Sequence, residues 1–245
     1  MKTAVITGVS GGIGSQLART YLSEGYFVIG QYNRGKDRIE ELEKELLSKG
    51  LAERFFAVQS DFSVDGKVQE FCDTVLKNVK SVSVLICNAG IDTYKLLTDT
   101  TEREFQDIFN VNVRSAFLLC KYLLPKMQSN CYGKIIFISS IWGVKGACME
   151  SLYSASKFAL IGMAKSLAQE VASNQITVNC ICPGVVDTPM NSAFTKEEMT
   201  QIISSTPIGR VCSPQEVAKL ALYLSSDDAG FITGESIVID GGFTL

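Results

Sequence analysis

Tyr153 and Lys157 stand four residues apart in the run Tyr153-Ser154-Ala155-Ser156-Lys157. On a helix that spacing puts both side chains on one face. A free phenol titrates at about 10. A neighbouring ammonium favours the phenolate and draws that value toward neutral pH, which suits a general acid or base. A tyrosine and a lysine on a solvated helix face have the same spacing, but Ser154, Ala155, Ser156, Phe158 and Ala159 are small or apolar and favour a partly buried helix. Ser140 ends a β-branched run thirteen residues before Tyr153, with Ser139 as its competitor. Asn112 lies in Phe109-Asn110-Val111-Asn112-Val113, where its plain structural role is a helix kink with the side chain bonded to backbone; Asn110 competes with it. The chain has no histidine. That excludes Ser-His-Asp and Cys-His catalysis and every histidine-containing metal site, so no metal centre is expected.

A second constellation is Thr7-Gly8-Val9-Ser10-Gly11-Gly12-Ile13-Gly14, between a short apolar run and a helical pattern. Glycines there permit a tight turn and close backbone approach, and the helix N-terminus offers free N–H groups and a positive dipole end to a phosphate. A ligand-free strand-to-helix turn would read alike; the strand-loop-helix setting favours a nucleotide.

These residues need a scaffold, and the pattern supplies one. Strand-like runs at Thr3–Thr7, Tyr26–Tyr32, Phe55–Gln59, Val82–Cys87, Lys134–Ser139, Ile176–Ile181 and Ser236–Ile239 alternate with helical periodicity. The helical stretches are the one after the glycines, Lys36–Lys49, Val64–Val79, the stretch from Cys87 to about Met127 with a break near Val111, and Leu152–Ala172. This alternation predicts an α/β fold, one doubly wound parallel sheet with helices on both faces. No linker or repeat divides the 245 residues, so one domain is expected. A polar segment from about residue 190 to 211, with Pro207 and Gly209, interrupts the alternation and is read as a lid.

Composition narrows the function classes. A net charge of −3 supplies no electrostatic footprint for nucleic acid. No run of eighteen apolar residues spans a membrane, and the N-terminus carries no signal-peptide pattern, so a cytoplasmic protein is expected. Eight scattered cysteines without a CxxC pair read mainly as small core hydrophobes in a reducing compartment, which also argues against a cysteine-based redox protein.

The glycine loop, Asn88-Ala89-Gly90, Tyr153 to Lys157 and Pro183-Gly184, in this order over almost the whole chain, resemble the short-chain dehydrogenase/reductase family. The subgroup most alike is the 3-oxoacyl-(acyl-carrier-protein) reductases of fatty acid biosynthesis, through Lys165 to Ser173, Ile176 to Asn179 and Ile237 to Gly242. The resemblance implies a Rossmann-like sheet of about seven strands, a nicotinamide dinucleotide and hydride transfer. It implies Ser140 and Tyr153 on the substrate carbonyl, Tyr153 as proton donor and Lys157 on the nicotinamide ribose. It implies Asn112 in a water relay to Lys157, and Val186 and Thr188 beside the carboxamide. Cofactor-binding positions carried over are Gly8, Ser10, Gly11, Gly12, Ile13, Gly14, Asn33, Arg34, Asp61, Phe62, Asn88, Ala89, Gly90, Tyr153, Lys157, Pro183, Gly184, Val186 and Thr188.

The residue matching the acidic ribose-binding position of NAD users is Tyr32. With Asn33 and Arg34 next to it, NADP(H) is favoured over NAD(H), although the loop position where NADP users often carry a base is Gly11. Asp61 matches the residue that bonds the adenine, and as a plain structural residue it would cap the following helix. The expected activity is reduction of a ketone, a 3-oxoacyl thioester or similar, to a secondary alcohol. Oxidation of a steroid, sugar or small alcohol is the alternative, with a non-catalytic dinucleotide-binding sensor or scaffold beyond it. An acyl carrier protein is doubtful as partner, because the two docking arginines of that subgroup match Cys131 and Asn174 here. Helical stretches 113–124 and 158–171 are apolar nearly all round, which points to a homotetramer built on them.

Overall fold

The computed structural model describes residues 1–191 and 194–245. Its seven strands are β1 (Thr3–Thr7), β2 (Phe27–Tyr32), β3 (Phe55–Gln59), β4 (Val84–Cys87), β5 (Gly133–Ile138), β6 (Ile176–Pro183) and β7 (Ser236–Ile239). They pair in parallel in the order β3-β2-β1-β4-β5-β6-β7. The helices are α1 (Gly12–Ser23), α2 (Lys36–Ser48), α3 (Lys67–Asn78), α4 (Glu102–Phe109), α5 (Ser115–Ser129), α6 (Ser151–Val171), α7 (Lys196–Ser204) and α8 (Pro214–Leu224). This is the doubly wound, Rossmann-like α/β sheet expected from the alternation.

The central strands β1, β4, β5 and β6 are buried along their whole length because both faces are covered. Ala4 and Ile6 of β1 join a core with α1, α2 and α8, while Val5 between them joins the opposite core with α3, α5 and α6. Ile136 and Ile138 of β5 face the first core, Ile135 and Phe137 the second. Strand order runs outward from β1 through β3 on one side and from β4 through β7 on the other. The loops leaving β1 and β4 therefore diverge, and a crevice opens at their C-terminal ends.

Several local expectations change. The stretch from Cys87 to Met127 is not one interrupted helix: no regular element covers residues 88–96, and α4 starts only at Glu102, on a capping box made by Thr101 and Glu104. Near Val111 the backbone does not break. It widens into a π-turn, Asn110–Arg114, that carries α4 into α5. Segment 190–211 holds a helix, α7, with its own Thr195–Glu198 capping box; Ser192 and Ala193 lie outside the described residues. Helix α8 has no counterpart in the sequence reading, although Ser213-Pro214-Gln215-Glu216 carries the signal for its start. Six cysteines are buried as expected, but Cys131 and Cys148 are exposed, and all eight are free thiols. No helix among the described residues is long and apolar enough to cross a membrane.

Candidate active site

The chain leaves β1 through Gly8 at φ +74°, a left-handed conformation that a side chain would strain. The N–H of Gly11 closes this turn on the Gly8 carbonyl at 3.0 Å. Helix α1 then packs so closely that a Cβ on Gly14 would collide with that carbonyl. The N-cap residue, Gly11, gives the first turn of α1 no side-chain acceptor. Its N–H groups and dipole are left to face the crevice.

Buried Gln31 fixes the loop: its Oε1 accepts from the Gly8 N–H at 3.0 Å and its Nε2 donates to the Ser60 carbonyl at 2.6 Å. From the tip of β4, Asn88 Nδ2 donates to the Thr7 carbonyl at 2.8 Å, and the Thr7 hydroxyl accepts the N–H groups of Asn88 and Ala89, each at 2.9 Å.

Every predicted site residue except Asn112 borders one crevice of about 830 Å³. The glycine loop, Asn33, Arg34, Asp61 and Phe62 come from the tips of β1, β2 and β3. Asn88, Ala89 and Gly90 follow β4, Ser140 follows β5, Tyr153 and Lys157 come from α6, and Pro183, Gly184, Val186 and Thr188 come from the tip of β6. The Phe62 ring is spent in the core, 5.7 Å from Phe71, so it meets the crevice through its backbone. Val186 is held by a bridge to Cys212, and its carbonyl already accepts from Asn191 Nδ2 at 2.6 Å.

Tyr32 is buried against α1 and α2, so no carboxylate stands at the tip of β2. Arg38, one turn into α2, borders the crevice with Arg34 and was not anticipated. Burial pushes Asp61 up, but hydrogen bonds from Ser63 and Asn33 and the charge of Arg34 prevail and hold it below its ordinary range. It accepts the Ser63 N–H at 2.9 Å in a local turn; it does not cap α3, whose N-cap is Gly66 without a side-chain bond.

Lys157 is buried, and its Nζ donates to the Ile138 carbonyl at 2.9 Å. Burial draws the ammonium down to about 8, partly opposed by the charge of Asp92. Ser139 donates to the Lys157 carbonyl at 3.0 Å and so serves the strand-to-helix packing. Ser140 Oγ accepts the Trp142 N–H at 3.1 Å, and its own proton points to the Tyr153 oxygen.

The expected lowering of the Tyr153 phenol does not occur here. Burial and then the negative charge of Asp92 push it up, Ser140 pulls it partly back by hydrogen bonding, and Glu150 adds to the rise. The Lys157 ammonium lies over the tyrosine ring, 5.3 Å from its centroid.

Asn112 lies behind the crevice wall in the π-turn. Its Oδ1 accepts from the Ile91 N–H at 2.8 Å, and its Nδ2 donates to the Ile91 carbonyl at 2.9 Å and to Ser156 Oγ at 3.0 Å. The side chain thus ties the loop after β4 to α6, the structural role named above. A methyl group on Gly90 would sit 3.4 Å from both Asn112 Oδ1 and Lys157 Nζ.

Two carboxyls at this end escaped the sequence reading, because only the fold brings the loop after β4 beside the start of α6. Asp92 is exposed and Glu150 is buried, and both border the crevice with Tyr153. Burial, and then Asp92, pushes Glu150 up to about 8. The folded chain therefore keeps a proton that the unfolded chain releases above about pH 4.5. That contribution to stability is complete below pH 4.5 and is lost as pH rises toward 8. Glu150→Gln cannot ionise, so it should melt roughly 5 °C above the parent at pH 8 and no higher at pH 4.5. Thermal melts of the two proteins across this range check it, and parallel curves would refute it.

Comparison with known proteins agrees with this geometry. The family model described as enoyl-(acyl carrier protein) reductase matches residues 8–244. A Bacillus subtilis protein named uncharacterized oxidoreductase YmfI is 36% identical over 242 residues, covering 99% of this chain and 98% of its own. The 3-oxoacyl-(acyl-carrier-protein) reductase FabG of Staphylococcus epidermidis is 34% identical over 244 residues, covering 100% of this chain and 99% of its own. The protein of the same name from Rickettsia conorii is 33% identical over 247 residues, covering 100% and 97%. With a family model over residues 8–244 and relatives matched end to end, the chain belongs to the short-chain dehydrogenase/reductase family, the nicotinamide-dependent oxidoreductases of CH–OH and C=O groups.

Proposed function

We propose that the chain reduces a ketone to a secondary alcohol with NADP(H), 3-oxoacyl thioesters being the class indicated by the names of its relatives. The observation that carries this reading is the meeting of Ser140, Tyr153 and Lys157 in the crevice that the glycine loop floors. A dinucleotide fits there on the residues present: free N–H groups of α1 for the pyrophosphate, Asn33, Arg34 and Arg38 for a 2′-phosphate, Lys157 for a ribose, and Val186 and Thr188 for the carboxamide. When bound it supplies the hydride.

The chain's own residues do the rest. Ser140 donates a hydrogen bond to the substrate oxygen and Tyr153 transfers its proton there, where negative charge develops. A phenol held up by burial is protonated at neutral pH, as reduction requires. Lys157 offsets the charge left on Tyr153, and Asn112 fixes the backbone along which a water relay to Lys157 would run. Residues 190–211 act as a lid, with Met190, Phe194 and Ile202 facing the crevice.

Loss of absorbance at 340 nm with NADPH and with NADH, against acetoacetyl thioesters, diketones and ketosteroids, tests this reading. NADPH consumption with at least one ketone is expected, and silence across the panel overturns it.

The carrier-protein partner is less favoured than the reaction. Cys131 is exposed and Asn174 accepts from Gln128 Nε2 at 3.4 Å, so neither supplies a cation to an acidic partner. The partner we propose is another copy of the chain. Phe117 on α5 is 50% exposed and Phe158 on α6 is 46% exposed, and faces of this kind pair in a homotetramer. Sedimentation should give a tetramer, and a clean monomer at micromolar concentration would end the idea.

A further inference from the structure

Charge in the crevice is divided. Arg34 and Arg38 stand at the tip of β2 and the start of α2, whereas Asp92, Asp107 and Glu150 border it toward α4 and α6, where Lys157 is the one cation among the described lining residues. Asp107 is paired with Arg103 at 3.1 Å. Neither Asp92 nor Glu150 has an ion-pair partner among the described residues.

Glu150 is only 9% exposed, and its Oε2 is buried without any hydrogen-bond partner. A buried acceptor left unmade is unfavourable. Asp92 engages its own loop through Oδ1, which accepts the Thr93 N–H at 2.5 Å. Its charge reaches Tyr153, Lys157 and Glu150 alike, which places it at the reacting end. Glu150 lies three residues before Tyr153, so the two share one side of the start of α6. The neighbouring walls are apolar, with Ile141, Met190 and the Trp142–Phe243 pair, whose rings are 6.0 Å apart.

We propose that Asp92 and Glu150 form a subsite for a protonated amine next to the substrate carbonyl, so that the substrate class is an apolar amino ketone, or its amino alcohol in the reverse direction. An ammonium would give the orphan Oε2 a donor, lie beside the Asp92 charge, and balance Glu150 as it releases to solvent the proton it otherwise keeps up to about pH 8. The Asp92 charge repels a substrate carboxylate. The inference rests on the carbonyl-reducing reading of the crevice and narrows it away from thioesters carried by an acidic protein.

Two isosteric pairs test it. The ketones are α-aminoacetophenone and propiophenone, compared by kcat/KM with NADPH. The alcohols are 2-amino-1-phenylethanol and 1-phenyl-1-propanol, compared by calorimetric Kd with NADP+ present. An α-ammonium activates a carbonyl by itself, so the deciding quantity is how far the amine preference falls in a variant. In the Asp92→Asn, Glu150→Gln double variant both preferences should fall about tenfold or more. Should the double variant fail to fold, Asp92→Asn alone, on an exposed loop, should lower them about threefold. Unchanged preferences overturn the subsite. Amine-selective binding without reduction of any ketone supports the subsite and overturns the carbonyl reading instead.

Discussion

Replacing Tyr153 by Phe should lower kcat about a thousandfold or more while the Kd for NADPH stays within about threefold. The ring would remain under the Lys157 ammonium, so the wall that a cofactor meets is unchanged. What disappears is the hydroxyl to which Ser140 hydrogen-bonds in the crevice. Ser140 is no substitute: its oxygen is tied to the Trp142 N–H, and an aliphatic hydroxyl is a far weaker acid than a phenol. Single-turnover rates and a fluorescence titration of NADPH separate the two quantities. A kcat within tenfold of the parent would remove Tyr153 from the chemistry.

The second large effect concerns the cofactor. Arg34→Ala together with Arg38→Ala should weaken NADPH about a hundredfold and leave NADH nearly unchanged, because only the former carries a phosphate for two guanidinium groups to hold. Loss of Arg34 also removes a positive charge beside Asp61, so the Asp61 carboxyl should titrate higher in the variant. Equal weakening of both cofactors would mean that the arginines hold the loop rather than the ligand.

The fold was legible because parallel strands buried on both faces advertise themselves. Thr3–Thr7, buried throughout, has the bounds expected from its run, as do the less buried edge strands Phe55–Gln59 and Ser236–Ile239. The start of α4 was misplaced because the residues after Cys87 carry no strong stop signal until the Thr101–Glu104 capping box, and Ile91, Leu96 and Leu97 are apolar although the fold leaves them exposed. At the site, residues that act through local spacing were readable: the glycines, and Tyr153 with Lys157. Residues that act through distant neighbours were not. Gln31 matters because Gly8 and Ser60 converge on it, Arg38 because α2 turns toward Arg34, and Glu150 because Asp92 arrives from another loop. The spacing argument also misjudged the direction in which Tyr153 titrates, since four residues along a helix set the distance between two side chains but not how dry the hydroxyl becomes.

Helix α1 begins on Gly11 with no side chain to complete its first turn. On the binding mode proposed above, its N-terminus would be finished by the reagent and not by the polypeptide. Saturation with a dinucleotide at about 100 times its Kd would add roughly 2.7 kcal/mol to the native state. Inside a cell the lifetime of this enzyme would then follow the supply of its reductant: starved molecules open first and go to the proteases, and charged ones persist.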